Sequence, residues 1–372
     1  MDNISRVKKR IIWLTPDYFF DVDTYIVPLL AVNYEIDWII INIFNSKRKI
    51  NGLIVNEIVP KEFNLRYKQK DPRIIFQYIK LFINICKFKY DLIYLSFEGP
   101  PFFFPLFFTF FNLNKVIYGA HNVTTPKGSA DEHIIRIYQS FVLKRIKNIH
   151  VFSKYQMEII KKTLPGKNHY YAPLALKDFG SSLAVPPSNT IKFLFFGYIR
   201  DYKRLDLLLN SFRELYDSGI QNIQLCIAGQ CDDWQHYQSL IGLHSNITTR
   251  IEVIPNTDIP DLISSCHYLI LPYQDGAQSG VLPLAYQYNK PVIASDINAF
   301  KQFIIDGYNG FLFESGSQDS LTSVMKKVIS MHGHNYDSLK NNVSDFCSKE
   351  LSINQIVSKY IGFIEDCIGK NN

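Results

Sequence analysis

Two cations follow a glycine near the centre of the chain, in the stretch FFGYIRDYKRLDLLLNSF. An apolar run, typical of a buried strand, ends at Gly197; Arg200 and Lys203 come next, and helical periodicity follows. A glycine at this position lets the backbone turn sharply and lets a ligand approach it closely. The start of a helix already attracts anions through its free N–H groups and its dipole. Two cations there indicate an external anion, such as a diphosphate.

A second loop favours a diphosphate as the partner of Arg200 and Lys203. The alternative is that these two cations form a surface pair neutralised by Asp201 and Asp206. In LPYQDGAQSGVLPLAYQYN an apolar run ends at Pro272, a polar loop with two glycines follows, and a helix begins. Ser279 and Gly280 are expected to present N–H groups to the same phosphates. Two loops of this kind in one domain are stronger evidence than a single glycine loop.

The elements that would position these loops follow from an alternation of buried strands and helices. Such alternation predicts parallel sheets with helices on both faces, and ligands bind at the carboxyl ends of the strands. The alternation stops in a segment rich in Pro, Ser and Gly and then restarts. We predict an α/β protein with two doubly wound domains, 1–171 and 190–352, a linker at 172–189 and a final helix in 353–372. The main predicted strands are 10–16, 36–44, 90–97, 114–122, 191–197, 223–229, 250–255, 268–273 and 290–296.

Composition indicates a globular protein with a basic N-terminal half. Of 372 residues, 47% are hydrophobic and 20% charged, which excludes a disordered chain. Residues 1–150 hold 21 Lys and Arg against 13 Asp and Glu, and the remainder holds 19 against 21. The excess indicates either an ordinary soluble surface or attraction to an anionic membrane or a phosphorylated acceptor. Nucleic acid is not expected, because no nucleic-acid-binding motif is present.

Other features bear on location. The six cysteines form no CxxC pair and no metal-binding spacing. The N-terminus does not have the pattern of a signal peptide, so we expect a cytoplasmic protein. The apolar stretch PPFFFPLFFTFFNL is shorter than the roughly 20 residues of a membrane span and is interrupted by Pro105. It predicts a buried helix, or one that faces a membrane surface.

A basic aromatic region, 63–90, offers a further membrane-facing candidate. Lys80, Lys87 and Lys89 lie in a helical stretch with apolar residues between them. A basic amphipathic helix can lie in the plane of a membrane interface. The alternative is an ordinary helix with a lysine-rich outer side.

Together these motifs resemble a known family. The family is that of the retaining GT-B glycosyltransferases in glycosyltransferase family 4, also called glycosyl transferases group 1. Its diphosphate loop resembles FFGYIRDYKRLDLLLNSF. Its nucleotide-sugar segment resembles SGVLPLAYQYNKPVIASDINAFKQFIIDGYNGFLF. The likeness covers about residues 190–330. The N-terminal half matches in layout and around GAHNVTTPKG, where the family often has a histidine near the donor sugar; here it is His121.

This resemblance implies a fold and an activity. The fold would be GT-B, two Rossmann-like domains facing each other across a cleft, with the acceptor on 1–171, the donor on 190–352 and the final helix packed back on the first domain. The reaction would move a hexose-type sugar from a UDP or GDP type nucleotide diphosphate sugar to a glycan or lipid-linked acceptor, with retention and without a metal or other cofactor. The implied setting is bacterial surface polysaccharide synthesis, at the inner face of the plasma membrane.

The resemblance also implies residue roles. Arg200 and Lys203 would neutralise charge on the leaving diphosphate. His121 would hold the donor sugar, or assist the reaction at its reacting face, from the acceptor side. The remaining donor contacts would come from Gly197, Gln278, Ser279, Gly280 and Val281.

One departure from the family keeps other functions in view. The family has two glutamates seven residues apart, where this chain has neutral residues: Ala277 or Gln278, then Leu284 or Ala285. A non-catalytic GT-B-like protein that binds a nucleotide or glycan is therefore an alternative, as is a nucleotide-sugar epimerase.

Separately, Asp21 and Asp23 form a DxD pattern. The pair is a candidate metal site, and either residue is a candidate contact to the acceptor.

Overall fold

The computed structural model describes residues 8–43, 58–68, 70–100, 102–124, 132–242, 244–276 and 279–370, and forms two compact units. The N-terminal unit extends to Ala175 and takes in the final segment from Ile353. The C-terminal unit is Leu176–Ser352. The unit boundary therefore lies within the segment predicted as a linker.

The N-terminal unit is a seven-stranded parallel sheet with strand order β3-β2-β1-β4-β5-β6-β7. Because the order reverses between β1 and β4, a crevice forms at their carboxyl ends. The strands are β1 Arg10–Pro16, β2 Glu35–Asn42, β3 Lys61–Asn64, β4 Leu92–Leu95, β5 Val116–Ala120, β6 Asn148–Val151 and β7 Asn168–Tyr171. The helices are α1 Phe20–Leu30, α2 Ile74–Cys86, α3 Phe103–Phe110, α4 Glu132–Arg145, α5 Lys154–Thr163 and α12 Ile353–Gly369.

The C-terminal unit is a six-stranded parallel sheet with order β10-β9-β8-β11-β12-β13. Its order reverses between β8 and β11, which brings the loops that follow these two strands side by side. The strands are β8 Ile191–Phe196, β9 Ile223–Ala228, β10 Ile247–Arg250, β11 Tyr268–Leu271, β12 Val292–Ser295 and β13 Gly310–Phe313. The helices are α6 Leu205–Asp217, α7 Trp234–Ile241, α8 Ile259–Ser264, α9 Val281–Gln287, α10 Asn298–Lys301 and α11 Gln318–Glu350.

The phenylalanine-rich stretch forms α3 and packs into the core of the N-terminal unit. Phe103, Phe104 and Phe107 are fully buried, and the ring of Phe103 meets that of Tyr78 edge-on at 5.0 Å. Pro105 lies in the first turn of the helix, where a missing N–H breaks no intrahelical bond. The prediction of a buried helix is confirmed.

Helix α12 completes the opposite face of the same sheet. Tyr360 contacts Trp13, which stacks on Tyr94 with 3.9 Å between ring centroids. Near the C-terminal end of the helix, Tyr34 Oη donates to Glu365 Oε1 and Tyr170 Oη to Asp366 Oδ2, each at 2.6 Å. The final segment is thus an integral part of the N-terminal core.

Local predictions fare unevenly. The sequence of 148–160 predicts a short strand, an N-cap at Ser153 and a helix, and the cap is confirmed, because its hydroxyl accepts from Gln156 N at 3.1 Å. A strand at 250–255 is wrong: β10 ends at Arg250, whose side chain pairs with Glu252 and Asp258 beyond it. The sequence patterns miss β3 and β7, because both are short and half-exposed and lack an apolar run.

Among the residues that the structure describes, none of the helices has both the length and the apolar character that a membrane span requires.

Two glycines let β8 and β9 end in close contact. Gly197 N donates to Ala228 O at 2.9 Å, and both Gly197 and Gly229 have positive φ, +108° and +144°. A Cβ on Gly229 would lie 2.2 Å from Gly197 O. Gly229 is therefore required by both its conformation and the neighbouring backbone.

We expect Gly229→Ala to destabilise the protein by about 1–3 kcal/mol, since it adds a backbone clash to an unfavourable φ. Urea unfolding of the C-terminal unit would measure this. Gly219→Ala is the matched control: φ there is +98°, but no atom lies within 4 Å of the added carbon. Equal losses in the two variants would contradict a steric role for Gly229.

Candidate functional site

The site in the C-terminal unit is built around the ammonium group of Lys203. The residue ends a short 3-10 turn, Asp201–Lys203, that connects β8 to α6. Its Nζ lies 3.4 Å from the position of a Cβ on Gly197 and 5.2 Å from the centre of the Tyr273 ring. Gly197 follows β8 and Tyr273 follows β11, so Lys203 occupies the point where the strand order reverses.

Lys203 is a buried cation without a counter-ion among the described residues. Only 7% of the residue is exposed, and none of the salt bridges in the described part of the chain includes it. Burial, and secondarily the charge of Arg200, lowers the pKa of Lys203 to about 8. Burying an unpaired charge is unfavourable, and an anionic ligand would relieve that cost.

Arg200 is exposed and already paired. Its Nη1 donates to Asp232 Oδ2 at 2.9 Å, and the guanidinium lies 4.2 Å from the centre of the Tyr198 ring. The alternative interpretation, in which Asp201 and Asp206 neutralise the cations, is wrong for Arg200, because the carboxylate that pairs with it is that of Asp232. Asp232 follows β9, which is adjacent to β8 in the sheet, and this pairing depends on tertiary structure.

Arg204 ties the two loops together. It has left-handed backbone angles, φ 50° and ψ 48°, which are unfavourable for a residue with a side chain. Its guanidinium pairs with Asp206 at 2.9 Å and donates to Gln274 Oε1 at 3.0 Å, while Gln274 N donates to Tyr202 O at 2.7 Å. These bonds fix the backbone on both sides of Lys203. Sequence reasoning missed this residue, although it directly follows Lys203.

The second loop reaches Gly197 through Val281. A Cβ on Gly197 would lie 3.3 Å from Val281 Cγ2. Ser279 Oγ accepts a hydrogen bond from Val281 N at 3.2 Å. Gln278 lies outside the described residues. The structure therefore brings together Gly197, Lys203 and Val281, with Ser279 and Gly280 directly before Val281 in the chain.

Sequence reasoning also missed Lys177, which falls in the predicted linker. Its Nζ lies 3.7 Å from the position of a Cβ on Gly280. No local motif could have revealed this contact, because more than a hundred residues separate the two positions in the chain.

His121 lies in the N-terminal unit, directly after β5. Its Nε2 donates to Ser96 O at 2.6 Å, and its ring meets that of Phe19 at 4.1 Å. Burial lowers the pKa of His121, so the imidazole is neutral at neutral pH and Nδ1 is an acceptor. These contacts fix the orientation of the ring at the carboxyl edge of the sheet.

Asp23 is a core residue. Its side chain is fully buried, and Oδ2 accepts from Trp13 Nε1 at 2.9 Å and Thr15 Oγ1 at 2.5 Å. Burial raises the pKa of Asp23 to about 7. The hypothesis that Asp23 contacts a metal or an acceptor is wrong, because α1 turns this side chain into the interior.

Comparisons with known proteins identify similar sequences and similar folds. Residues 190–331 match the family model described as Glycosyl transferases group 1. An uncharacterized glycosyltransferase of Methanocaldococcus jannaschii is 26% identical over 143 residues, which cover 38% of this chain and 36% of that protein. The match thus spans about a third of the relative's length.

Solved structures show the fold of the whole chain. Sucrose-phosphate synthase from Thermosynechococcus elongatus superposes with a TM-score of 0.78 at 14% identity, covering 98% of this chain and all of that one. Anabaena HepE with UDP and glucose gives 0.73 at 14% identity, covering 96% and 100%. WaaG, a glycosyltransferase involved in lipopolysaccharide biosynthesis, gives 0.68 at 15% identity, covering 95% and 99%. The predicted GT-B fold is confirmed.

We expect Lys203→Met to raise the free energy of unfolding at pH 7 by about 1–3 kcal/mol, because it removes a desolvated charge. The gain should shrink between pH 8 and pH 10. Folded wild type loses the Lys203 proton in that range while the unfolded chain keeps it, so wild type becomes relatively more stable. Urea unfolding at pH 7, 8.5 and 10 would test this, with Lys340→Met as an exposed control. A variant less stable than wild type at pH 7 would contradict a strained lysine.

Proposed function

Since residues 190–331 match the family model of glycosyl transferases group 1 and the whole chain has the GT-B fold, we propose that the protein is a retaining glycosyltransferase. The donor is a nucleotide diphosphate sugar of UDP or GDP type, and the sugar is a hexose. UDP is favoured by one structural neighbour, HepE, which was solved with UDP and glucose. The acceptor is a glycan or a lipid-linked glycan of a bacterial surface polysaccharide.

The buried, unpaired Lys203 is the observation that carries this proposal. As the bond between the anomeric carbon and the diphosphate breaks, negative charge grows on the leaving phosphate oxygens. An ammonium group already desolvated and fixed by its neighbours stabilises that charge without reorganisation. Arg200 adds a second cation once the diphosphate competes with Asp232 for its guanidinium.

Retention requires the acceptor oxygen to bond to the anomeric carbon on the face that the diphosphate leaves. The proton of the incoming hydroxyl passes to an oxygen of the departing phosphate, so bond formation, bond breakage and proton transfer balance without a protein nucleophile. His121, neutral and held through Nε2, offers Nδ1 to a hydroxyl of the donor sugar. The N-terminal unit supplies the acceptor-binding surface in this proposal.

A non-catalytic nucleotide-binding protein is the second candidate. The observation in its favour is that Leu284 and Ala285 are neutral where the family has a glutamate, and both are buried in the C-terminal core. Such a protein would bind the diphosphate through the same lysine but would not hydrolyse or transfer the sugar. Turnover measurements separate the two candidates.

We expect one of UDP, GDP and ADP to raise the melting temperature of the wild type, and Lys203→Met to abolish that shift. At 100 times its dissociation constant a ligand stabilises the native state by about 2.7 kcal/mol. Asp232→Asn should have the opposite effect. It removes the carboxylate that pairs with Arg200 and should tighten nucleotide binding about two- to fivefold. Release of the nucleotide from its sugar conjugate, with retained configuration by NMR, would establish transfer. If no nucleotide shifts the wild type at millimolar concentration, the diphosphate site is refuted.

The outer face of α2 supports a membrane-bound acceptor. Phe76, Lys80, Ile83 and Lys87 follow helical spacing on the exposed side, and Phe76 is 71% exposed. Apolar and cationic side chains that alternate on one face suit the interface of an anionic membrane. We therefore propose peripheral membrane contact through α2.

We expect the protein to float with liposomes that contain anionic lipid, and salt to reduce the bound fraction. The double variant Phe76→Ser with Lys80→Gln should lower binding about tenfold, since it removes both an apolar and an electrostatic contribution. Val253→Ser is the control, because Val253 is a 69% exposed apolar residue of the C-terminal unit. Flotation that is equal for all three proteins would rule out α2 as the contact.

A further inference from the structure

We infer that Lys177 is a second diphosphate-binding cation of the C-terminal unit, facing the same ligand as Lys203. This inference rests on the proposed function, because it assumes a nucleoside diphosphate in the site. It adds a residue from the segment that joins the units, outside the glycine, Arg and Lys motif that suggested the site.

The distances place each ammonium group beside a glycine, and the loops that carry the two glycines meet at Val281. Lys177 Nζ lies 3.7 Å from the Cβ position of Gly280. The next residue, Val281, has its Cγ2 3.3 Å from the Cβ position of Gly197, and Lys203 Nζ lies 3.4 Å from that same position. An anion beside Gly197 and Gly280 would therefore lie near both ammonium groups.

The backbone around Lys177 is fixed to the C-terminal unit. Tyr288 Oη accepts from Phe179 N and donates to Gly180 O, both at 3.1 Å. Asp178 Oδ1 closes the turn by accepting from Gly180 N at 2.8 Å. Leu176 and Phe179 pack against the buried cluster that contains Leu282 and Tyr286. Lys177 thus extends from an anchored segment, and its side chain is half-buried.

Gly280 keeps the space between the loop and the ammonium group open. Its φ and ψ, −77° and −11°, are allowed for any residue, so the backbone conformation does not require glycine. A larger side chain would instead occupy the volume next to Lys177 Nζ. The glycine leaves room for a ligand atom there.

Two cations on either side of a diphosphate have a chemical consequence. Each ammonium contributes a charge-assisted hydrogen bond to the phosphate oxygens and little to an uncharged nucleoside. Lys177 should therefore increase affinity for UDP and for inorganic pyrophosphate and have no effect on uridine.

Titration calorimetry with UDP, pyrophosphate and uridine would test the inference on the full chain. We expect Lys177→Met to weaken UDP and pyrophosphate binding about tenfold, and Lys177→Arg to stay within about threefold of wild type. Lys340→Met is the matched control. It removes one lysine charge near Tyr336, and Tyr336 contacts Tyr268, the first residue of β11. The site lies at the other, carboxyl end of that strand. Lys177→Gln serves in place of Lys177→Met if the methionine variant does not fold.

The outcomes separate the inference from the proposed function. If UDP binds wild type and Lys203→Met abolishes binding while Lys177→Met binds normally, the inference fails and the proposed function stands. If the loss in Lys177→Met is equal for UDP and uridine, Lys177 does not contact the phosphates. If none of UDP, GDP, ADP and pyrophosphate binds the wild type, both are refuted.

Discussion

The main constraint on the loops of the C-terminal unit is a charged lysine that is almost completely buried. Lys203 is 93% buried, since 7% of it is exposed, and the described residues provide it with no carboxylate. Such a group is unfavourable for stability, so its neighbours must hold it there. The left-handed backbone of Arg204, bonded to Asp206 and Gln274, fixes the loop on the far side of the lysine. The buried charge of Lys203 lowers the stability of the folded state, and a bound anion would restore that stability.

The parallel sheet makes this position possible. The reversal of strand order between β8 and β11 brings two loops together, and the positive φ of Gly197 and Gly229 lets the ends of β8 and β9 touch. In the N-terminal unit the same reversal lies between β1 and β4, close to the ring of His121. Helix α12 then closes the N-terminal core through Tyr360, although it comes last in the chain.

In the proposed donor site a diphosphate would be bound without the two glutamates of the family that the chain resembles. The proposed contacts to phosphate are cations and backbone groups, which depend on the loops after β8 and β11. Leu284 and Ala285, the candidate positions of the second glutamate, belong to the buried side of α9 and stabilise the core. Absence of that glutamate would therefore leave the proposed diphosphate contacts unchanged.

The sequence by itself determined the fold class, and it singled out the loop after β8 as a candidate phosphate-binding loop, because both depend on local patterns. Apolar runs that alternate with helical periodicity predict parallel sheets, and a glycine followed by cations at the end of such a run marks a binding loop. The burial of α3 and the Ser153 cap were predictable for the same reason. Short, half-exposed strands such as β3 and β10 were not, since their patterns lack a continuous apolar face.

Only the tertiary structure decided which charges meet. Asp232 pairs with Arg200 because β9 lies beside β8, and Lys177 approaches Gly280 across more than a hundred residues of chain. Asp23, which resembles a metal ligand in the sequence, turns inward to Trp13 and Thr15. Each of these contacts depends on how distant segments pack, and the energy of a charge depends on the burial that packing imposes.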